Sequence, residues 1–107
     1  MANQASDTPI LDLLAGMTAL SLETTTLDAK SVILARLAAL VATDAPPVSY
    51  TLNLGAAGDA GIDPDEVRGV FAAIAPIVGT ARITSAVGNI VRALAFEELA
   101  ELDDETA

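Results

Sequence analysis

The chain has 107 residues, which is enough for one compact domain and too few for two independent cores. It contains no cysteine and no histidine, which excludes thiol, disulfide and imidazole chemistry. Fifteen acidic residues against five basic ones give a net charge of −10, so the chain repels phosphate backbones and anionic lipids, and we expect neither nucleic acid nor a membrane as its partner.

The composition predicts an all-α fold, because the chain has 22 alanines and only 3% aromatic residues. We expect a single domain of about five helices. The first helix begins at Asp7 or Thr8 and has Pro9 in its first turn. One apolar stripe is predicted on it, which consists of Ile10, Leu13, Leu14 and Met17. The polar run 23–26 ends this helix.

Asp28 is the predicted cap of a second helix, which is apolar around more than half of its circumference and is therefore expected in the interior. Its apolar residues are Ile33, Leu34, Leu37, Ala38, Leu40 and Val41. The helix is expected to end by Ala45, since two prolines follow and a residue before proline disfavours helical geometry. A third helix is predicted over 47–60, with Gly61 as a left-handed C-terminal cap.

The start of the fourth helix is marked by Asp63, Pro64 and Glu66, which supply a cap, a first-turn proline and an acid at the third helical position. Its predicted apolar residues are Val67, Val70, Phe71, Ile74 and Ile77, with a bend at the internal proline and an end at Gly79. The fifth helix begins at Thr80 and is predicted to carry Ile83, Ala86, Val87, Ile90, Val91 and Leu94 on one face. The acidic segment 97–107 is predicted to be frayed, because its charges repel one another.

A small monomer leaves much of its surface in water and needs polar residues there. The mean hydropathy of +0.52 is therefore high for so short a chain. The uncharged stretch between Arg68 and Arg82 has 13 residues and is interrupted by Pro76 and Gly79. About 20 apolar residues are needed to span a bilayer. We therefore expect a homo-oligomer whose interfaces cover the excess apolar surface. Residues 1–7 lack the features of a secretory signal, so a cytoplasmic location is expected.

Three segments of the chain resemble the carboxymuconolactone decarboxylase family of the alkylhydroperoxidase D-like superfamily. They are the Arg-Leu-Ala-Ala-Leu run at 36–40, the Ala-Gly-Ile-Asp-Pro-Asp-Glu-Val run at 60–67 and the Ile-Val-Gly-Thr-Ala-Arg run at 77–82. The resemblance covers residues 27–94, roughly two thirds of the chain. It implies an all-helical fold with a helical-hairpin core, assembled as a trimer or hexamer with the active site near a subunit boundary.

The peroxidase branch of that family uses a Cys-x-x-Cys pair, a histidine and a glutamate. The resemblance places the pair at Pro46 and Ser49, the histidine at Asn53 and the glutamate near Ser31. None of these catalytic residue types is present, and a serine cannot cycle through sulfenic acid and disulfide as a thiolate does. The chain therefore resembles a divergent member of the family without peroxidase chemistry.

Four polar residues are candidates for a ligand site: Ser49, Tyr50, Asn53 and Arg82. Tyr50, Asn53 and Arg82 are also the catalytic candidates, because they could donate hydrogen bonds to an enolate formed by decarboxylation. Structural roles are open for each of them. Tyr50 could pack its ring while its hydroxyl reaches water or a carbonyl, Ser49 and Asn53 could bond to buried backbone ends, and Arg82 could pair with one of the many acids.

We expect no cofactor and no metal. Asp63, Asp65 and Glu66 have carboxylates at a spacing that suggests a cation site, but a helix start accounts for all three. Lys30 is read as a solvated charge. The glycines at 55, 58 and 61 lack the pattern of a phosphate loop and are more typical of two helices in close approach.

Two functions remain open. The first is an oligomeric binding or structural protein of this family, without redox catalysis and with at most a pocket for a small organic acid. The alternative is a thiol-free lyase or isomerase that acts on a carboxylated lactone or keto acid. The lyase would need its hydrogen-bond donors to converge on one reacting group.

Overall fold

The computed structural model describes the backbone of residues 7–106 and the side chains of residues 7–95. This part of the chain forms five α-helices and contains no β-strand. The helices are α1 (Pro9–Thr24), α2 (Ala29–Ala42), α3 (Pro47–Asp59), α4 (Pro64–Val78) and α5 (Thr80–Thr106). The predicted all-α fold with five helices is confirmed.

Local capping chemistry sets the starts of α2 and α4. The Asp28 carboxylate accepts a hydrogen bond from the Ser31 backbone N–H at 2.8 Å, and this bond is the main reason why the pKa of Asp28 lies below its ordinary value. Asp63 and Glu66 form a reciprocal capping box, with donor to acceptor distances of 2.8 and 3.2 Å. Both helices begin where the sequence predicts.

Glycines with positive φ follow the ends of α3 and α4. Gly61 has a φ of 76° just beyond α3, and Gly79 has a φ of 85° between α4 and α5. Glycine adopts this region without the steric penalty that a Cβ atom brings. The helix α3 ends at Asp59, one residue before the predicted end.

The helix α2 is central, because it packs against α3, α4 and α5. The buried core is small and consists of Leu37, Val41, Ala45, Tyr50, Ala86 and Ala93. Half-buried aliphatic side chains from α2, α3, α4 and α5 surround this cluster. The interior position predicted for α2 is thus confirmed, although only Val32, Leu37 and Val41 on this helix are buried.

Two predicted apolar faces are wrong in detail. Four apolar residues of α4 pack against the core as predicted: Val67, Val70, Phe71 and Ile74. Ile77 is instead 85% exposed, and Val78 packs against the core at this end of the helix. Val78 lies four residues beyond Ile74, so it continues the inward stripe into the last turn. The proline predicted to bend this helix, Pro76, lies inside it.

The apolar residues of α5 extend around more of the helix circumference than the core contacts. Ala86 and Ala93 are buried and Ile83 and Ile90 pack against the core. Val87, Val91 and Leu94 are exposed, contrary to the single face predicted from the sequence. The backbone of α5 stays helical through Thr106, and the predicted fraying of segment 97–107 stays a prediction, since its side chains lie outside the described residues.

The helix α1 contributes no buried residue to the core. Its large apolar side chains, Ile10, Leu11, Leu13, Leu14, Met17, Leu20 and Leu22, are each between 49% and 67% exposed. Thr8 precedes the helix at the capping position, and the helix ends at Thr24 as the polar run predicts. Within residues 7–106, no helix combines the length and apolar character needed to cross a membrane.

Candidate functional site

A groove with a volume of about 750 Å³ lies between α1, α2 and α3, and we call it the α1–α3 groove. Its apolar walls come mainly from Met17, Leu22, Ile33, Leu40 and Leu52. Its polar lining consists of Thr18, Ser21, Arg36, Ser49 and Asn53. This volume lies within the range of about 300 to 1,000 Å³ that small-molecule sites occupy.

Helical spacing brings these groups together. On α2, Ile33, Arg36 and Leu40 lie three and four residues apart and therefore share one face. On α3, Ser49 and Asn53 are separated by one turn and face the same space. The helix α1 lines one side of the groove with four of its residues.

Among the residues whose side chains are described, Arg36 is the only charged one that lines the α1–α3 groove. Its Nη2 atom donates a hydrogen bond to the Ser21 hydroxyl at 3.0 Å, which directs the half-buried guanidinium toward α1. On the opposite wall the Asn53 Nδ2 atom donates to the Ile33 carbonyl at 3.4 Å. An apolar groove with one cation is suited to an organic anion.

Tyr50 does not line this groove. Its side chain is fully buried in the core beside Leu37 and Val41, which agrees with the packed-ring interpretation of this residue. Its hydroxyl has no hydrogen-bond partner among the described residues. Burial raises the pKa of Tyr50, and the nearby charge of Asp44 raises this pKa further.

Arg82 lies exposed in the first turn of α5 and also stands outside the groove. Of the four sequence candidates, Ser49 and Asn53 therefore share one cavity, whereas Tyr50 and Arg82 do not join them. The three donors proposed for a lyase, Tyr50, Asn53 and Arg82, do not converge on one point. Asn53 donates a hydrogen bond to a backbone carbonyl of α2, which agrees in part with the structural role considered for it from the sequence.

Arg36 is the groove residue that the sequence interpretation missed. One signal could have identified it, because Arg36 interrupts the apolar circumference of a helix that is otherwise typical of an interior position. A charged residue there indicates either a partner or a solvent-filled groove. The position of α1, which makes the groove, is not encoded in the local pattern of α2.

A separate polar cluster fastens the turn between α2 and α3 to α5. Asp44 has a positive φ of 53°, and its carboxylate accepts a hydrogen bond from the Ser85 hydroxyl at 2.6 Å. The Asn89 Nδ2 atom donates to the Ala45 carbonyl at 3.0 Å. These bonds hold the start of α3 against the core and thereby orient Ser49 and Asn53 on its other side.

The remaining charged candidates have structural roles. Lys30 is exposed, which agrees with its interpretation as a solvated charge, and it also forms an ion pair with Glu66, with 3.0 Å between Nζ and Oε2. Asp65 pairs with Arg68 one turn along α4. Among the residues whose side chains are described, no three acidic side chains come together as a possible metal site.

No family model, no curated protein and no solved structure matches this chain. The resemblance to the carboxymuconolactone decarboxylase family therefore stays a prediction. The features of this chain that bear on its function are the α1–α3 groove, the exposed apolar side chains and the chemistry of the residues present.

Proposed function

We propose that this protein is a cysteine-free relative of the carboxymuconolactone decarboxylase family that assembles with copies of itself and binds a small, largely apolar organic acid without redox catalysis. The observation that carries the proposal is the single guanidinium of Arg36 in a mainly apolar groove of about 750 Å³. The groove offers a cation for a carboxylate and aliphatic walls for the rest of the ligand.

The geometry of Arg36 favours a carboxylate over a neutral ligand. A guanidinium presents several N–H donors in a plane and binds a carboxylate through two parallel hydrogen bonds. Nη2 of Arg36 already contacts Ser21, which fixes the side chain before a ligand arrives. The net charge of −10 opposes entry of an anion at long range, so binding depends on this short-range contact and on the apolar walls.

Self-assembly is supported by the exposed apolar surface. A helix that leaves seven large aliphatic side chains in water gains stability only when another surface covers them. The high mean hydropathy is consistent with this surface, and the family resemblance implies a trimer or a hexamer. Light scattering of the full chain measures the mass; a monomer near 10.8 kDa at micromolar concentration would overturn the homo-oligomer.

Ligand binding can be tested by calorimetric titration with benzoate and octanoate, with octanamide as the uncharged comparison. We expect the acids to bind and the amide to bind at least tenfold more weakly, because a charge-assisted hydrogen bond contributes about 1.5 to 3 kcal/mol. Arg36→Gln should weaken octanoate binding by a similar factor. The matched control is Arg82→Gln, which removes an exposed arginine outside the groove and should leave the affinity unchanged.

Two enzymatic outcomes are distinguished in the same preparation. Incubation with an alkyl hydroperoxide should give no turnover, because the chain has no thiol to oxidise. Incubation with a carboxylated γ-lactone should release no carbon dioxide. If carbon dioxide is released and the variant Arg36→Gln abolishes the release, the lyase alternative replaces the binding function. If neither benzoate nor octanoate binds, the ligand-binding proposal is wrong.

A further inference from the structure

The helix α1 stands apart from the helices that build the core. In the part of the chain that the structure describes, the extensive helix contacts are all among α2, α3, α4 and α5. The helix α1 has no buried residue, and the segment 25–28 connects its end to α2. A helix of 16 residues has little stability of its own in water. Core packing therefore does not secure the position of α1 beside α2 and α3.

The apolar walls of the α1–α3 groove do not bury each other. Met17 and Leu22 line the groove from α1, and Leu52 lines it from α3. All three side chains are more than half exposed, whereas direct contact across the groove would cover most of their surface. A molecule that lies between the walls covers apolar surface on both at once. Each methylene group that leaves water in this way strengthens binding by about fourfold.

A polar contact joins the two walls at Arg36. This residue belongs to α2, and its Nη2 atom donates to the Ser21 hydroxyl of α1 at 3.0 Å. A hydroxyl that accepts one hydrogen bond still has its proton to donate. A carboxylate can therefore accept hydrogen bonds from the Arg36 guanidinium and from the Ser21 hydroxyl together. Such a carboxylate contacts α2 and α1 at the same time.

Resting on the proposed ligand binding, we infer that the ligand is an aliphatic monocarboxylate that lies between the two walls and fastens α1 to α2 and α3. The carboxylate binds Arg36 and Ser21. The alkyl chain covers Met17 and Leu22 on one wall and Leu52 on the other. The ligand thus supplies the apolar contact that core residues supply between the other helices. This narrows the ligand class, because the chain has to be long enough to touch both walls.

Amide hydrogen exchange of the full chain tests whether a ligand fastens α1, with octanoate as the probe. Saturating octanoate should slow exchange of the α1 amides by about tenfold or more, because α1 then opens only when the ligand leaves. Butanoate, at a concentration that gives the same occupancy by calorimetry, should slow these amides less. If octanoate lay on α2 and α3 alone, the α1 amides would exchange at an unchanged rate.

Paired substitutions on two sides of α1 separate contact with the ligand from stability of the helix. The variant M17S/L22S removes two side chains that line the groove and should weaken octanoate binding by about tenfold or more. Leu52→Ser should weaken it as well, from the opposite wall. The matched control is L13S/L20S, which removes two similarly exposed side chains of α1 that do not line the groove. Its octanoate affinity should stay within about threefold of that of the natural chain.

The outcomes separate this inference from the binding function on which it depends. If octanoate does not bind the natural chain, the proposed binding function is wrong. If octanoate binds but the α1 amides exchange at an unchanged rate, the fastening of α1 is wrong while the binding function stands. Equal weakening of octanoate binding by M17S/L22S and L13S/L20S would overturn the fastening in the same way. So would slower exchange that appears only when sedimentation velocity shows an increase in mass, because assembly then accounts for it.

Discussion

The side chain of Tyr50 is buried among small aliphatic side chains, and its hydroxyl has no hydrogen-bond partner among the described residues. An unpaired buried hydroxyl lowers stability, because it has lost its bonds to water and gained none. We expect Tyr50→Phe to raise the free energy of unfolding by about 1 kcal/mol, measured by urea denaturation. Tyr50→Ala is the control and should lower it by about 3 kcal/mol or more, because it leaves a cavity. Destabilisation by Tyr50→Phe would mean that the hydroxyl has a partner.

The pKa of Tyr50 also makes a prediction about pH. Burial, and then the charge of Asp44, raise this pKa in the folded protein above the ordinary value of 10.0. The folded state therefore holds the phenolic proton more tightly than the unfolded chain does. Stability from this source is complete below pH 10.0 and declines as the pH rises toward the folded-state pKa. Urea unfolding at several alkaline pH values measures this decline in the free energy of unfolding, which should be smaller in Tyr50→Phe than in the natural chain. Identical pH profiles for both proteins would refute this prediction.

At the scale of the element, the capping box of α4 offers a direct test of how local sequence sets a helix start. Asp63→Ala removes the acceptor of the Glu66 backbone N–H and should lower the free energy of unfolding by about 1 kcal/mol. Asp65→Ala, in the same turn, removes only an exposed pair with Arg68 and should change it by less than about 0.5 kcal/mol. Thermal denaturation distinguishes the two, and equal effects would show that the cap is not what holds this turn.

The same elements show which features of the fold follow from the sequence. Caps, prolines and glycines act within one or two turns, so the helix starts at Asp28 and Asp63 and the φ of Gly61 could be predicted. Which apolar residues become buried depends on what packs against a helix. Val87 and Ile77 are as apolar as their buried neighbours, yet both stay exposed among the residues that the structure describes.

The site was only partly predictable for a similar reason. Ser49 and Asn53 were identified because they are polar residues on an otherwise apolar helix, and both line the α1–α3 groove. Arg36 was missed because its place in the groove depends on where α1 lies relative to α2, which no local pattern specifies. Tyr50 was a candidate on residue type alone, and its burial follows from the packing of α3 against α5.

At the scale of the whole molecule, the balance between a small core and a large exposed apolar surface suggests that stability and assembly are coupled. The buried cluster contains three alanines, which contribute little hydrophobic free energy. An isolated helix of 16 residues such as α1 is marginal in water. The energy that holds α1 helical should therefore come largely from the contact with another copy that covers its exposed apolar side chains.

Coupling of this kind makes thermal stability depend on protein concentration, since mass action favours the assembled and folded state. We expect the melting temperature to rise by about 5 °C or more for a hundredfold increase in concentration. Leu13→Gln should lower it at fixed concentration, although Leu13 is 60% exposed in the single chain. Leu27→Gln is the matched control, because Leu27 is 54% exposed in the turn after α1 and lies outside that helix. A melting temperature independent of concentration, with equal effects of both variants, would mean that the exposed surface of α1 stays in water.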